Sequence, residues 1–180
     1  MKSIALVTLG LVSLAATVPA VAQTAAAPTG IRAEMLAQLD DAAGKLQQLA
    51  EAIPQDKLAW RPGTGVRSVG EVLMHVTGAN FYIPTFAGVK APADAPQGEN
   101  VTDRAQAIQQ MRRSFDHVRS MMRNMSDADL DKPTTMFGQQ TTYRGVALLT
   151  VTHAHEHLGQ LIAYARSNGV TPPWSRSGGM

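Results

Sequence analysis

The sequence predicts an all-α fold: a four-helix bundle of up-down-up-down order with long loops. Three observations carry this. Apolar residues recur at helical steps of three and four in four separate stretches, no run worth calling a strand alternates with period two, and the intervening segments are rich in Pro, Gly, Gln and Thr. The 180 residues, 44% hydrophobic and 17% charged, suffice for one domain with a real core, and the absence of cysteine leaves no disulfide to form in any compartment. With 16 Lys+Arg against 14 Asp+Glu and no basic patch, nucleic acid is excluded as an expected partner.

The chain opens with Met1-Lys2 and an apolar run from Ile4 to Val18 that is interrupted by Thr8, Gly10, Ser13 and Thr17 and stopped by Pro19. Ala20-Val21-Ala22 then fits the small-x-small rule for signal peptidase, so residues 1–22 read as a secretory signal cleaved after Ala22. The run falls short of the roughly 20 residues of a comfortable span, and no stable membrane span is expected after cleavage. Residues 23–30 form an Ala/Thr/Pro-rich flexible leader, residues 31–174 the bundle and residues 175–180 a tail. The expected location is periplasmic or secreted.

In residues 31–53, Met35, Leu39, Ala42, Leu46, Leu49 and Ile53 form one apolar stripe that Pro54 stops. Ser68 is the expected N-cap of a second helix reaching about Phe86, with Glu71 completing a capping box. Its apolar arc runs from Val69 through Val76 to Phe86, and His75 sits at one edge of that arc. The third stripe is Ile108, Met111, Phe115, Val118, Met122 and Met125, whose methionines are core filler. The fourth helix runs from Tyr143 or Gly145 to Asn168, with Gly169 as its stop. His153, Glu156, His157, Gln160 and Tyr164 lie along the edge of its apolar arc. Residues 89–100 and 131–142 read as loops.

Of the five histidines, His153 and His157 are four apart on one helix, so two ring nitrogens can reach one ion at 2.0–2.1 Å. His155 points away from them and reads as exposed, and His117 as surface or rim. A border imidazole needs a partner, Glu156 and Gln160 can orient the pair, and His75 occupies the matching edge of the second helix. Three neutral imidazoles with an open fourth position make a catalytically usable divalent site.

The stretch Leu58-Ala59-Trp60-Arg61-Pro62, Gly65-Val66-Arg67-Ser68-Val69-Gly70-Glu71 and His75, together with His153-Ala154-His155-Glu156-His157-Leu158-Gly159-Gln160-Leu161 and the following Tyr164, Arg166, Gly169, Pro172 and Pro173, resembles the DinB-like (damage-inducible) four-helix-bundle superfamily. The resemblance implies a divalent metal, usually zinc or nickel, on three histidines, which carry over as His75, His153 and His157. Some members of that superfamily are S-transferases or isomerases using a small thiol. Those thiols are chiefly cytosolic, and the expected export sets this chain apart from such members.

The leading expectation is a metal-dependent hydrolase or thiol S-transferase acting on a small molecule, with Glu71 and Glu156 as candidates for accepting a proton or orienting a ring. Glu71 is equally a capping residue and Glu156 equally a solvated helix charge. Asn80 and Tyr82 are candidate pocket residues, and Trp60 reads as a lid on the core. The alternatives are a non-catalytic periplasmic metal- or ligand-binding bundle, and a homodimer whose histidines merely satisfy one another.

Overall fold

The computed structural model describes residues 27–175; the expected signal sequence, half of the expected leader and nearly all of the expected tail lie outside the described residues. Four helices make up the body: α1 (Gly30–Ala52), α2 (Val69–Tyr82), α3 (Arg104–Asn124) and α4 (Tyr143–Ser167). Each expected stripe is the buried face of its helix. Leu39, Leu46 and Leu49 of α1, Val72, Leu73 and Val76 of α2, Met111, Phe115 and Met122 of α3 and Leu161 of α4 are almost fully buried in one core. Among the described residues no helix is long and apolar enough to cross a membrane.

The order of directions differs from the expected up-down-up-down. The start of α1 meets the end of α3 and the reverse: Arg32 donates to the carbonyls of Met122 and Met125, while Arg104 donates to those of Glu51 (3.0 Å) and Ile53 (2.9 Å). Each arginine thus satisfies carbonyls that the end of the neighbouring helix leaves orphaned. By contrast α2 and α3 run parallel, since Gly70 approaches Val101 at the top and Asn80 bonds Ser114 (3.1 Å) further down. Helix α4 is antiparallel to α2: the Tyr164 hydroxyl reaches the Arg67 carbonyl (3.1 Å), and the Leu149 end of α4 meets the Tyr82 end of α2. The order is therefore up-down-down-up, with α1 and α2 on a diagonal and both packed on α3 and α4. A parallel α2–α3 pair obliges residues 88–103 to travel back along the bundle. At their far end they press on α2 at Gly70, where any Cβ would come within 3.1 Å of the Val101 side chain.

Two local expectations are corrected. Helix α2 stops at Tyr82, because Pro84 has no N–H to continue the ladder; the chain tightens into a 3-10 turn, Ile83–Ala87, ended by Gly88 at φ 78°. Residues 131–142 are not all loop. They contain an antiparallel hairpin, β1 (Pro133–Met136) with β2 (Gln139–Thr142), in which Met136 pairs with Gln139 across Phe137-Gly138. Both turn residues have positive φ, 51° and 79°, as a type I′ turn requires. The strands are threonine-rich, four of their eight residues exposed and four half-buried, and no apolar alternation announces them.

Candidate metal centre

Ser68 and Glu71 fix the start of α2. The Ser68 hydroxyl accepts from the Glu71 N–H (3.2 Å) and the Glu71 carboxylate accepts from the Ser68 N–H (2.7 Å). Two turns on, His75 faces α4, where His153 and His157 project from one side. The Nε2 atoms of His75 and His153 are 3.2 Å apart, as are those of His153 and His157. A tetrahedral ion with nitrogens at 2.0–2.1 Å sets neighbouring ligands about 3.3 Å apart, so both of these pairs stand at coordinating spacing, and all three ligand atoms lie within 4.8 Å of one another. Among the described residues this is the one group of three or more histidine or acidic side chains that can hold a metal ion.

Hydrogen bonds on the far sides of the rings decide where the protons sit. The Glu99 carboxylate, which can only accept, takes the His75 Nδ1–H at 2.8 Å. Gln160 donates its amide to the Tyr164 hydroxyl (3.0 Å), which leaves its carbonyl oxygen to accept from His157 Nδ1 at 2.8 Å. Both rings therefore turn a bare Nε2 lone pair inward. A proton on His153 Nε2 can serve only one of the two, whereas a cation serves all three. Burial first, and then the neighbouring imidazoles, push His153 down to about 4, and burial lowers His157 as well. Both shifts favour the neutral ring in His153 and His157, the state in which imidazole coordinates.

The two supporting arms meet at Arg67. Its carbonyl accepts from Tyr164 and its guanidinium donates to Glu99 at 2.7 Å. Burial would raise the Glu99 carboxyl, but hydrogen bonds from Arg67 and His75 outweigh it and keep the group ionised.

The two candidate acids lie outside this cluster. The Glu71 carboxylate is occupied by the Ser68 N–H and by Arg61 (3.0 Å), and Glu156 is exposed. The ring-orienting carboxylate is Glu99, which sequence reasoning missed. It arrives on the crossover segment 88–103, which has no periodicity to mark it and which an up-down-up-down order would not bring here. Gln160 does orient a ring. His155 is half-buried and bonds back to the Val151 carbonyl at 3.0 Å, and His117 packs against Phe81. Asn80 is buried against Ser114, away from the cavity that Tyr82 lines, and Trp60 meets Tyr164 edge-on.

A bundle whose parallel central pair is joined by a crossover over three convergent imidazoles defines a class of protein, the four-helix bundle with a three-histidine metal-type centre. Residues 38–161 match the family model of the DinB superfamily, and the chain belongs to that superfamily. Solved structures agree in fold. A DinB-like protein from Bacillus cereus ATCC 10987 has a TM-score of 0.67 at 19% identity, covering 77% of this chain and 93% of that one. The DinB-like YjoA of Bacillus subtilis has a TM-score of 0.63 at 18% identity, covering 77% and 93%. YfiT of Bacillus subtilis, described as a probable metal-dependent hydrolase with an unusual four-helix bundle topology, has a TM-score of 0.62 at 16% identity, covering 80% and 92%. No curated protein sequence matches the chain.

Proposed function

We propose that this protein is an exported, metal-dependent hydrolase of small molecules, with zinc or nickel held by His75, His153 and His157. The observation that carries the reading is the pair of 3.2 Å Nε2 contacts, with the outer nitrogens of His75 and His157 already committed to Glu99 and Gln160. When bound, such an ion supplies Lewis acidity toward a nucleophile on its open side. His75 and His153 also line a cavity of about 460 Å³, and no fourth protein ligand joins the group among the described residues, which favours turnover over a closed structural site. Glu99 holds the His75 ring at the cavity edge, with Arg67 fixing its other oxygen. Water rather than a thiol is the nucleophile that export would supply, and the description of YfiT as a probable hydrolase points the same way.

Elemental analysis of the purified protein beside His153→Ala tests the ligand set. A stoichiometric divalent ion lost in the variant is expected, and equal metal in both would overturn it. N-terminal sequencing of exported protein should begin at Gln23; retention of Met1 would remove the export claim.

A further inference from the structure

The cavity over His75 and His153 is chemically lopsided. Its metal side carries the two imidazoles and Glu99, and the rest of its wall is apolar: Met74, Ala79, Tyr82, Ile83, Leu149 and Phe137, with no lysine or arginine. A cavity of about 460 Å³ is of the size that encloses a drug-sized ligand. Gly78 forms part of that wall, one turn beyond His75, and a Cβ built on it meets nothing within 4 Å.

The mouth is built of aromatic rings that core packing does not account for. Tyr82 and Phe137 are 56% and 61% exposed, yet both lie against Phe86, with ring centroids 5.2 and 5.0 Å away in edge-on contact. Phe137 holds its place at a backbone cost. It occupies the left-handed region at φ 51°, where a bulky residue is an outlier and Asn, Asp or Gly is the usual choice. The hairpin carrying it is fixed at its base. The Thr134 hydroxyl donates to the Phe86 carbonyl (2.7 Å), and the Tyr143 N–H donates to the Lys132 carbonyl (3.0 Å). A strained residue on an anchored hairpin, presenting a ring to a cavity that opens on the imidazoles, is an arrangement for contact rather than for stability.

We propose that the cavity selects substrates with an uncharged, ring-bearing apolar body beside the group attacked at the metal, and that Phe137 and Tyr82 are its specificity-determining wall. This rests on the metal-centre reading for the orientation of the reacting group, but the apolar subsite can be tested without turnover. The wall offers an aromatic guest edge-on contacts; it offers an anion no lysine or arginine, and the one carboxylate at its edge, Glu99, is already paired with Arg67 and His75.

The test is fluorescence titration of the metal-loaded protein with N-phenyl-1-naphthylamine, a neutral aromatic probe that brightens in apolar surroundings, with metal content measured in every sample. Saturable binding is expected. Gly78→Leu, which fills the cavity from a helix position with open space above it, should abolish binding while metal content stays unchanged. Phe137→Ala, on an exposed turn where folding is not at stake, should weaken binding by about tenfold, the loss of about 1.4 kcal/mol of contact. Ile31→Ser removes an exposed apolar side chain outside the cavity and should change nothing. Unchanged affinity in both Gly78→Leu and Phe137→Ala, or equal loss in Ile31→Ser, would overturn the proposal. Failure of the metal reading is seen separately, as probe binding that responds to these substitutions in a protein whose metal content ignores His153→Ala.

Discussion

The seam between α1 and α3 and the seam between α2 and α4 are made of opposite materials. The first is Leu39, Leu46 and Leu49 against Met111, Phe115 and Met122, closed at both ends by arginines on carbonyls. The second is opened in the middle by three imidazoles, two of which, His75 and His157, are held by the loop residue Glu99 and by Gln160. One seam holds the chain folded by excluding water. The other carries a costly polar cluster because the rest of the core sustains the fold around it. The division predicts that folding and metal binding are separable.

The largest effect should come from the apolar seam. Phe115→Ala empties a fully buried ring site, at a cost of about 3–5 kcal/mol, and should lower Tm by roughly 10 °C with or without metal. The added stability from zinc or nickel should survive. Thermal melts with and without metal decide this, and loss of the metal increment in Phe115→Ala would show that the seams are coupled.

The next effect belongs to the histidines. At a hundredfold excess over Kd a bound ion adds about 2.7 kcal/mol, or roughly 5–10 °C in Tm for a domain of this size. The apoprotein should remain folded and helical by circular dichroism. His157→Ala should lose nearly all of the metal increment, whereas His155→Ala, which is outside the cluster, should keep it. Equal loss in the two variants would contradict the geometry at α4.

Glu99→Gln perturbs the imidazole seam alone. The amide keeps the size of the side chain but gives up the charge-assisted bonds to His75 and Arg67, and metal affinity should fall about 10–100-fold. Competition with a chelator of known affinity measures it. A fall of similar size in Glu156→Gln would restore to Glu156 the orienting role that the structure gives to Glu99.

What the sequence made legible follows the same division. Long buried helices impose a 3.6-residue period on composition, so all four stripes could be read, and the HxxxH spacing placed His153 and His157 on one face with His75 at a matching edge. Helix direction leaves no such mark. An amphipathic stripe is the same pointing up or down, and the connection of residues 88–103 can serve as a lateral loop or as a crossover. With the direction of α3 unread, Glu99 could not be brought to His75. The hairpin escaped for another reason: its turn uses Phe137 where Asn would have signalled positive φ, and its half-buried positions are threonines apart from Met136, so no apolar alternation marks the inner side.

The smallest predicted effect concerns the junction between the two kinds of seam, at the cap of α2. Ser68→Ala removes the side-chain acceptor for the Glu71 N–H and should cost about 1 kcal/mol, a fall in Tm of about 2–4 °C. Glu71→Gln should cost less, because Gln can still accept from the Ser68 N–H in a capping box. The two differ in their response to acid. The Ser68 N–H, and then Arg61, hold the Glu71 carboxyl below its ordinary value, so its contribution is complete above the unfolded-state pKa of about 4.3 and is lost as pH falls through the lower folded value. In Glu71→Gln that part of the acid dependence should disappear, and wild type and variant should converge in Tm as the pH drops from about 5 towards 3. Glu71 lies one turn before His75, but its carboxylate is engaged by the Ser68 N–H and Arg61, so the metal increment at neutral pH should be unchanged in Glu71→Gln. If the variant instead loses metal or its metal-dependent stability, Glu71 belongs to the centre and not only to the helix that carries it.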